Sequence, residues 1–190
     1  MKKNLIYKVC LFFIALLFSE NLIAQSVKDI VDLKIKTVYS KTVDARKTQK
    51  SIKHNITKYD KHGNVIEAIE LNDDSVITKW EKFKYNNHDD ETEYQLSDTA
   101  GNVTKTTITT YDKWNQEAEK ITKDASGKVL EKVASTYDVN NNKILETTTD
   151  KDGIIIRKVL FEYDNKGMIK SRKFYNEKGE LTYSKEHIYN

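Results

Sequence analysis

The amino-acid sequence predicts an all-β fold, an antiparallel meander of about 12 strands built from 26-residue β-hairpin repeats. The first observation behind this prediction is a tyrosine that recurs every 26 residues. The second is that all six glycines of the chain occupy fixed positions in the same repeat. The third is the abundance of Val, Ile, Thr and Tyr between the glycines, which favours strands. We expect the strands to form an open curled sheet or a barrel-like one.

Residues 1–24 have the features of a secretory signal peptide. Three lysines precede an unbroken apolar run of ten residues, 9–18, whereas a helix needs about 20 residues to cross a bilayer. Cleavage is expected after Ala24, and an uncleaved anchor or a buried helix is the alternative. Removal takes away the one cysteine, Cys10, and lowers the net charge from +3 to about +1. We expect an exported protein, periplasmic, at the cell surface or secreted, with no transmembrane segment after signal removal.

Residues 25–58 are a lead-in in which the repeat is degenerate. The apolar residues Val27, Ile30 and Val31 fit a short helix over residues 26–33, and a disordered lead-in is the alternative. Two strands are predicted next, at residues 34–43 and 50–59.

Residues 59–190 carry the repeats, and each period holds two related five-residue units. One unit reads Tyr-Asp-x-x-Gly, as at residues 59–63, and the other opens with a variable residue, as at 149–153. Asp or Asn at unit position 2 suits the opening of a turn. Position 5 is occupied mostly by Gly, Asn or Asp, which tolerate a positive φ. The recurring tyrosines are Tyr59, Tyr85, Tyr111, Tyr137, Tyr163 and Tyr189. The residues at position 5 are Gly63, Ser75, Asp89, Gly101, Asn115, Gly127, Asn141, Gly153, Gly167 and Gly179.

Each unit therefore predicts a turn followed by a strand, which gives ten strands from Tyr59 onward. The strands are expected at segments such as 103–111, 129–137 and 154–163. Their two faces are mixed, because Lys, Glu and Thr occur on both. A sandwich needs one apolar face on nearly every strand, so a thin sheet is favoured over a sandwich.

The units at residues 59–63, 150–153 and 163–167 resemble the YD repeats of the RHS family. The resemblance covers residues 59–190, and it is greatest to the small exported YD-repeat proteins of Bacteroidota-type bacteria. The period is longer than a usual YD pair, and the chain is too short to enclose a cargo as large RHS proteins do. The resemblance implies a β-rich fold and export, and it transfers no catalytic residue.

Several classes of chemistry find no support in the sequence. The 32 basic residues nearly balance the 29 acidic ones, which does not suggest nucleic-acid binding. No serine nucleophile motif of the type Gly-x-Ser-x-Gly occurs. Residues 150–153 resemble the start of a calcium loop but lack its downstream glutamate. The four histidines, His54, His62, His88 and His187, show no metal-ligand spacing. We assign no catalytic residue, metal or cofactor.

Aromatic residues are the best candidates for ligand contact. The tyrosine row has a spacing of about 10 Å if the tyrosines lie two strands apart, and it could stack on sugar rings or on another protein. The favoured alternative is that each tyrosine plugs the sheet beside its turn and hydrogen-bonds the turn backbone. Trp80 falls in a predicted strand, where it is either core or ligand contact, whereas Trp114 falls in a turn.

These features predict an exported, non-enzymatic binding or structural module whose partner is an unknown protein or glycan. Glycan binding through the tyrosine row and Trp114 is the second hypothesis. The third hypothesis is a hydrolase with paired carboxylates. It ranks last, because no pair of Asp or Glu residues stands out in the sequence.

Overall fold

A computed structural model of the chain describes residues 27–44 and 51–189. The predicted signal peptide lies outside the described residues. A short helix, α1 (Val27–Asp32), decides the lead-in in favour of a helix. The strands that follow are β1 (Thr37–Asp44), β2 (Ser51–Tyr59), β3 (Val65–Leu71), β4 (Ile77–Tyr85), β5 (Glu91–Ser97), β6 (Val103–Tyr111), β7 (Glu117–Asp124), β8 (Val129–Tyr137), β9 (Lys143–Asp150), β10 (Ile155–Tyr163), β11 (Ile169–Asn176) and β12 (Leu181–Glu186).

All twelve strands belong to one sheet, in which each strand pairs antiparallel with its neighbours in the chain. The predicted all-β meander is therefore confirmed. Strands β1 and β12 lie at the two ends of the strand order and do not pair with each other. The sheet is an open curled sheet, and the described strands do not adopt the barrel-like alternative.

The same turn closes each of the ten hairpins between β2 and β12. The side-chain oxygen of Asp or Asn at unit position 2 accepts hydrogen bonds from the backbone N–H groups at positions 4 and 6. In one such turn, Asp98 Oδ1 accepts from Ala100 at 2.9 Å and from Asn102 at 2.8 Å. The N–H of Gly101, at position 5, donates to the carbonyl oxygen of Asp98 at 3.1 Å, which completes the turn.

Unit position 5 has a positive φ in all ten turns, which confirms the prediction from residue type. The six glycines have φ between 76° and 88°. The other four positions hold residues with side chains, and their φ values are 61° to 66°. These residues are Ser75, Asp89, Asn115 and Asn141.

A β-bulge follows every turn, and the sequence reasoning did not anticipate it. Thr104 is unpaired, because Ser97 pairs with Val103 and Leu96 pairs with Lys105. The Thr104 hydroxyl donates instead to the carbonyl oxygen of Leu96 at 3.0 Å. Bulges increase the local twist of a sheet, and ten of them in series account for the curl.

The curled sheet has a more buried inner face and a more exposed outer face. The inner face carries Glu81, Thr109, Thr148 and Val159, each at most 4% exposed. Among the described residues, only Ile30 and Val159 are buried apolar side chains. The predicted thin sheet is therefore correct, and the inner face is lined mainly by polar and half-buried side chains.

Candidate functional site

The recurring tyrosines form a row along one end of the sheet, beside a set of turns that we call the rim (residues 60–64, 86–90, 112–116, 138–142 and 164–168). The hydroxyl of Tyr111 donates to the carbonyl oxygen of Glu91, the first strand residue after a neighbouring rim turn, at 2.7 Å. The same bond recurs from Tyr85 to Val65, Tyr137 to Glu117, Tyr163 to Lys143 and Tyr189 to Ile169, at 2.8 to 3.0 Å.

These bonds give the tyrosines a structural role. Tyr59 is half-buried in the same row. Burial raises the pKa of Tyr137 to about 12, and the nearby carboxylate of Glu117 adds to the shift. Burial raises the pKa of Tyr85 as well. The contacts agree with the structural interpretation of the row, while stacking on sugar rings stays a prediction.

Trp80 lies on the outer face of β4, where contacts within the chain hold its ring. Its indole N–H donates to Glu67 Oε1 at 2.8 Å. The ring packs on Gly101 so closely that a methyl group there would lie 2.8 Å from Trp80 Cζ3. These contacts account for Trp80 without a ligand, and its predicted role in ligand binding stays a prediction.

Trp114 occupies a rim turn and is 62% exposed. Its backbone N–H donates to Asp112 Oδ1 at 2.8 Å, so the backbone that carries the ring is fixed. Lys113 Nζ lies 4.1 Å from the centroid of the indole ring. His62 and His88 occupy the same unit position in the two preceding rim turns, and both are exposed. The rim therefore presents three rings from three successive turns.

Side chains tie adjacent rim turns to each other, which the sequence reasoning missed. Asn64 Nδ2 donates to Asp89 Oδ1 at 2.8 Å, and His62 Nδ1 lies 3.0 Å from the same carboxylate oxygen. Farther along, Asn115 Nδ2 donates to Asp90 Oδ2 at 2.6 Å. Both amide hydrogen bonds join residues 25 positions apart. The sequence signal that could have revealed these bonds is an amide and a carboxylate 25 residues apart, which is one residue less than the 26-residue repeat.

An ion pair with a buried carboxylate and a partly exposed ammonium group occupies the inner face near β4. Glu81 is 4% exposed, accepts a hydrogen bond from the Tyr94 hydroxyl at 2.8 Å and lies 2.8 Å from Lys79 Nζ. Burial raises the pKa of Tyr94, and the hydrogen bond to Glu81 raises it further. Beside the pair is a cavity of about 20 Å³, lined partly by Asn55 and Thr57, which has room for about one water molecule.

A chain of alternating charges continues along the inner face toward β10. Glu117 lies 2.6 Å from Lys120 Nζ and 3.8 Å from Lys143 Nζ. Lys143 Nζ is also 3.5 Å from Glu146, and Glu146 lies 3.9 Å from Arg157. Two carboxylates thus flank one ammonium group, an arrangement in which each negative charge is balanced by a neighbouring cation.

Glu91 is the carboxylate on the inner face with a raised pKa. Burial raises its pKa first, and the negative charges of Glu117 and Glu81 raise it further, against the opposing effect of Lys120. Sequence reasoning could not single out Glu91, because the shift depends on neighbours from two other strands, β4 and β7.

The described residues contain no group of three or more His, Cys, Asp or Glu side chains placed to hold a metal ion. The Asp150 carboxylate, in the segment that resembles the start of a calcium loop, accepts hydrogen bonds from the N–H groups of Asp152 and Ile154, both at 2.9 Å. These hydrogen bonds stabilise the turn that begins at Asp150, in the same way as at the other position-2 residues.

In the part of the chain that the structure describes, no helix has the length and apolar character needed to cross a membrane.

Comparison with known proteins finds distant structural similarity only. No family model and no curated protein matches the sequence. A porin-like protein from Bacteroides uniformis is 10% identical with a TM-score of 0.33, and the match covers 78% of this chain and 94% of that one. TcdB2-TccC3-Cdc42 is 14% identical with a TM-score of 0.31, over 79% of this chain and 10% of that one. TarM from S. aureus is 16% identical with a TM-score of 0.27, over 54% of this chain and 19% of that one.

The chain thus spans about a tenth of the TcdB2-TccC3-Cdc42 chain and about a fifth of TarM. With every one of these TM-scores below 0.5, the similarities assign neither a family nor an activity. The resemblance to YD repeats rests on the sequence units themselves.

Proposed function

We propose that this chain is an exported, non-enzymatic binding module that contacts its partner through the rim. The observation that carries the proposal is Trp114, whose large aromatic ring is 62% exposed on a turn. An exposed aromatic ring on a fixed backbone is typical of a contact surface. Export is supported by the order of charged, apolar and small residues over residues 1–24.

The ties between rim turns support a preorganised surface. The bonds from Asn64 to Asp89 and from Asn115 to Asp90 restrain the turns relative to each other. A surface that is already ordered loses little entropy when a ligand binds. Successive rim turns lie two strands, about 10 Å, apart, so the rings of His62, His88 and Trp114 suit an extended ligand.

A glycan chain is the second, more specific candidate for that ligand. Trp114 favours it, because a flat exposed ring can stack on a sugar. The tyrosine row contributes to this proposal mainly through the rigidity that its hydroxyl bonds give the rim. A direct contact between sugar and the tyrosine rings remains part of the hypothesis to be tested.

Trp114→Ala tests the proposal. The protein, purified after expression of the full chain, is screened against a glycan array and against proteins of its native envelope. We expect the variant to bind the ligand found at least about fivefold more weakly, since a stacked aromatic ring contributes roughly 1 kcal/mol or more.

Val76→Ala is the matched control, since Val76 is 52% exposed in a turn at the opposite end of the sheet. It should bind as the parent does. Equal binding by the parent and Trp114→Ala would overturn the rim as the contact surface. Turnover of a panel of glycosides or esters would overturn the non-enzymatic role and favour the carboxylates of the inner face.

A further inference from the structure

The two edge strands of the sheet are open. Within the described part of the chain, β1 pairs only with β2, and β12 pairs only with β11. All six residues of β12 are exposed, and on β1 Tyr39 is 76% exposed. An edge strand of this kind is a template for a further strand. We propose that the edges bind each other between copies of the chain, with β12 of one copy antiparallel to β1 of the next.

The outer faces of the two edges match in one register. Tyr39 pairs with Ile56, then Ile69 and Trp80, so β1 presents Tyr39 and Lys41 on the outer face. Glu186 pairs with Ser171, whose partner is Glu162; the contact of Lys173 with Glu162 lies on this same face. When Glu186 lies opposite Lys41 of the next copy, Ile188 lies opposite Tyr39.

This register pairs opposite charges and covers apolar surface together. Ile188 is 88% exposed and Tyr39 is 76% exposed, so both have much apolar area to bury. A slide by two residues places Glu186 opposite either Tyr39 or Val43 and separates Ile188 from Tyr39. The slide toward Val43 brings Lys185 opposite Asp44, but it replaces the apolar pair by Ile188 opposite Lys41, so only the first register combines an ion pair with the apolar pair. Cross-strand pairs of opposite charge stabilise a sheet, and like charges directly opposite destabilise it.

The inner faces are compatible with the same register. Lys185 then lies opposite Thr42, and Tyr183 lies opposite Asp44, so that no two like charges face each other directly. The cation of Lys185 and the carboxylate of Asp44 are diagonal neighbours, a distance that long side chains can span.

Helix α1 does not cover the free edge of β1, the edge that faces away from β2. Val27 and Val31 pack on Gly63 in the turn between β2 and β3. The chain before β1 is held on that same side, because the carbonyl oxygen of Lys36 accepts a hydrogen bond from the Tyr59 N–H at 2.9 Å. The helix is thus directed toward β2, and a strand can approach β1 from the other side.

Because the contact joins two different edges, a dimer still has one free β1 edge and one free β12 edge. Each added copy buries one β12 edge and presents another, so the assembly grows head to tail. The expected product is a series of oligomers whose mean mass rises with protein concentration.

The proposal is tested by charge exchange and light scattering coupled to size-exclusion chromatography. Glu186→Lys and Lys41→Glu should each weaken association about tenfold, because an attractive pair becomes a repulsive one. The double variant restores opposite charges and should recover association. Lys166→Glu changes the same kind of charge on a rim turn and should associate as the parent does. Hydrogen exchange should show added protection in β1 and β12 as concentration rises.

Several outcomes would overturn the proposal. A parent protein that stays monomeric at every concentration would do so, as would a dimer that does not grow, which would indicate pairing of identical edges. Failure of the double variant to recover association would contradict the register. None of these results depends on Trp114, so they are independent of the proposed binding function.

Discussion

Glu91 lies at the start of β5, among charged groups supplied by two other strands, β4 and β7. Burial and the carboxylates of Glu117 and Glu81 disfavour its charged form, while Lys120 favours it. Its pKa is therefore raised above the ordinary value of 4.5. A carboxyl group whose pKa is raised by folding binds a proton more tightly in the folded state.

The consequence is a defined dependence of stability on pH. Well below pH 4.5 Glu91 is neutral in both the folded and the unfolded state and does not affect stability. As pH rises through the window between 4.5 and the higher folded pKa, the unfolded state loses the proton first and stability falls. Glu91→Gln remains neutral, so it should match the parent below pH 4 and exceed it at pH 8 by on the order of 1 kcal/mol.

Urea unfolding at a series of pH values measures this difference. Glu93→Gln is the control, since Glu93 lies on the outer face of the same strand and pairs with Lys84 at 2.9 Å. That variant should show no gain at pH 8. A Glu91→Gln protein that is less stable than the parent at pH 8 would show that the charged form is favoured by its surroundings.

At the scale of single elements, the turn is the part of the fold whose interactions join residues closest together in the sequence. Its Asp or Asn and its positive-φ residue lie three positions apart, as Asp98 and Gly101 do, and their bonds stay within six residues. Local chemistry of this kind is visible in a sequence, which is why all ten turns and the strands between them could be predicted.

Other features depend on strand register, which the repeat units do not specify. The packing of Trp80 on Gly101 joins a strand to the second turn after it. The ion pairs of Glu117 with Lys143 and of Glu146 with Arg157 join different strands. Register decides which side chains are opposite each other. The inner-face charges and the rim ties therefore could not be derived from turn and strand patterns, whereas exposed Trp114 could be proposed from its turn position alone.

Substitutions at two turn glycines distinguish the free-energy cost of backbone strain from the cost of a steric clash. Gly101→Ala and Gly153→Ala each place a side chain at a positive φ, of 88° and 81°. That strain costs about 1–2 kcal/mol in each case. At Gly101 the new methyl group also lies 2.8 Å from the Trp80 ring, while at Gly153 no atom beyond the adjacent residues lies within 4 Å of it. Gly101→Ala should therefore lose about 1–3 kcal/mol more than Gly153→Ala.

Chemical unfolding of both variants, alone and combined with Trp80→Ala, gives the comparison. In the Trp80→Ala background the two alanine substitutions should cost nearly the same, because the obstructing ring is gone. An equal loss from both variants in the parent background would contradict the close packing of Trp80 on Gly101.

For the molecule as a whole, the central feature is a sheet built from equivalent repeats, each of which contacts the repeats next to it in the chain. Among the described residues, extensive contacts between strands join only strands adjacent in the chain. Each period adds one rim turn, one opposite turn and one tyrosine bond to the preceding strand. Stability in such a protein is approximately a sum over units and their interfaces. The order of strands, the two open edges and the rim all follow from this arrangement.

Removal of one whole period tests that arrangement most directly. Deleting residues 138–163 joins Tyr137 to Asp164 and keeps every remaining unit in phase. The deletion variant should fold into a ten-stranded sheet with a cooperative but lower unfolding midpoint, measured by circular dichroism. Deleting residues 144–149, which removes most of β9 and leaves β8 and β10 running in the same direction, should not give a folded protein. An unfolded in-phase variant, or equal behaviour of the two deletions, would contradict a sheet built from interchangeable repeats.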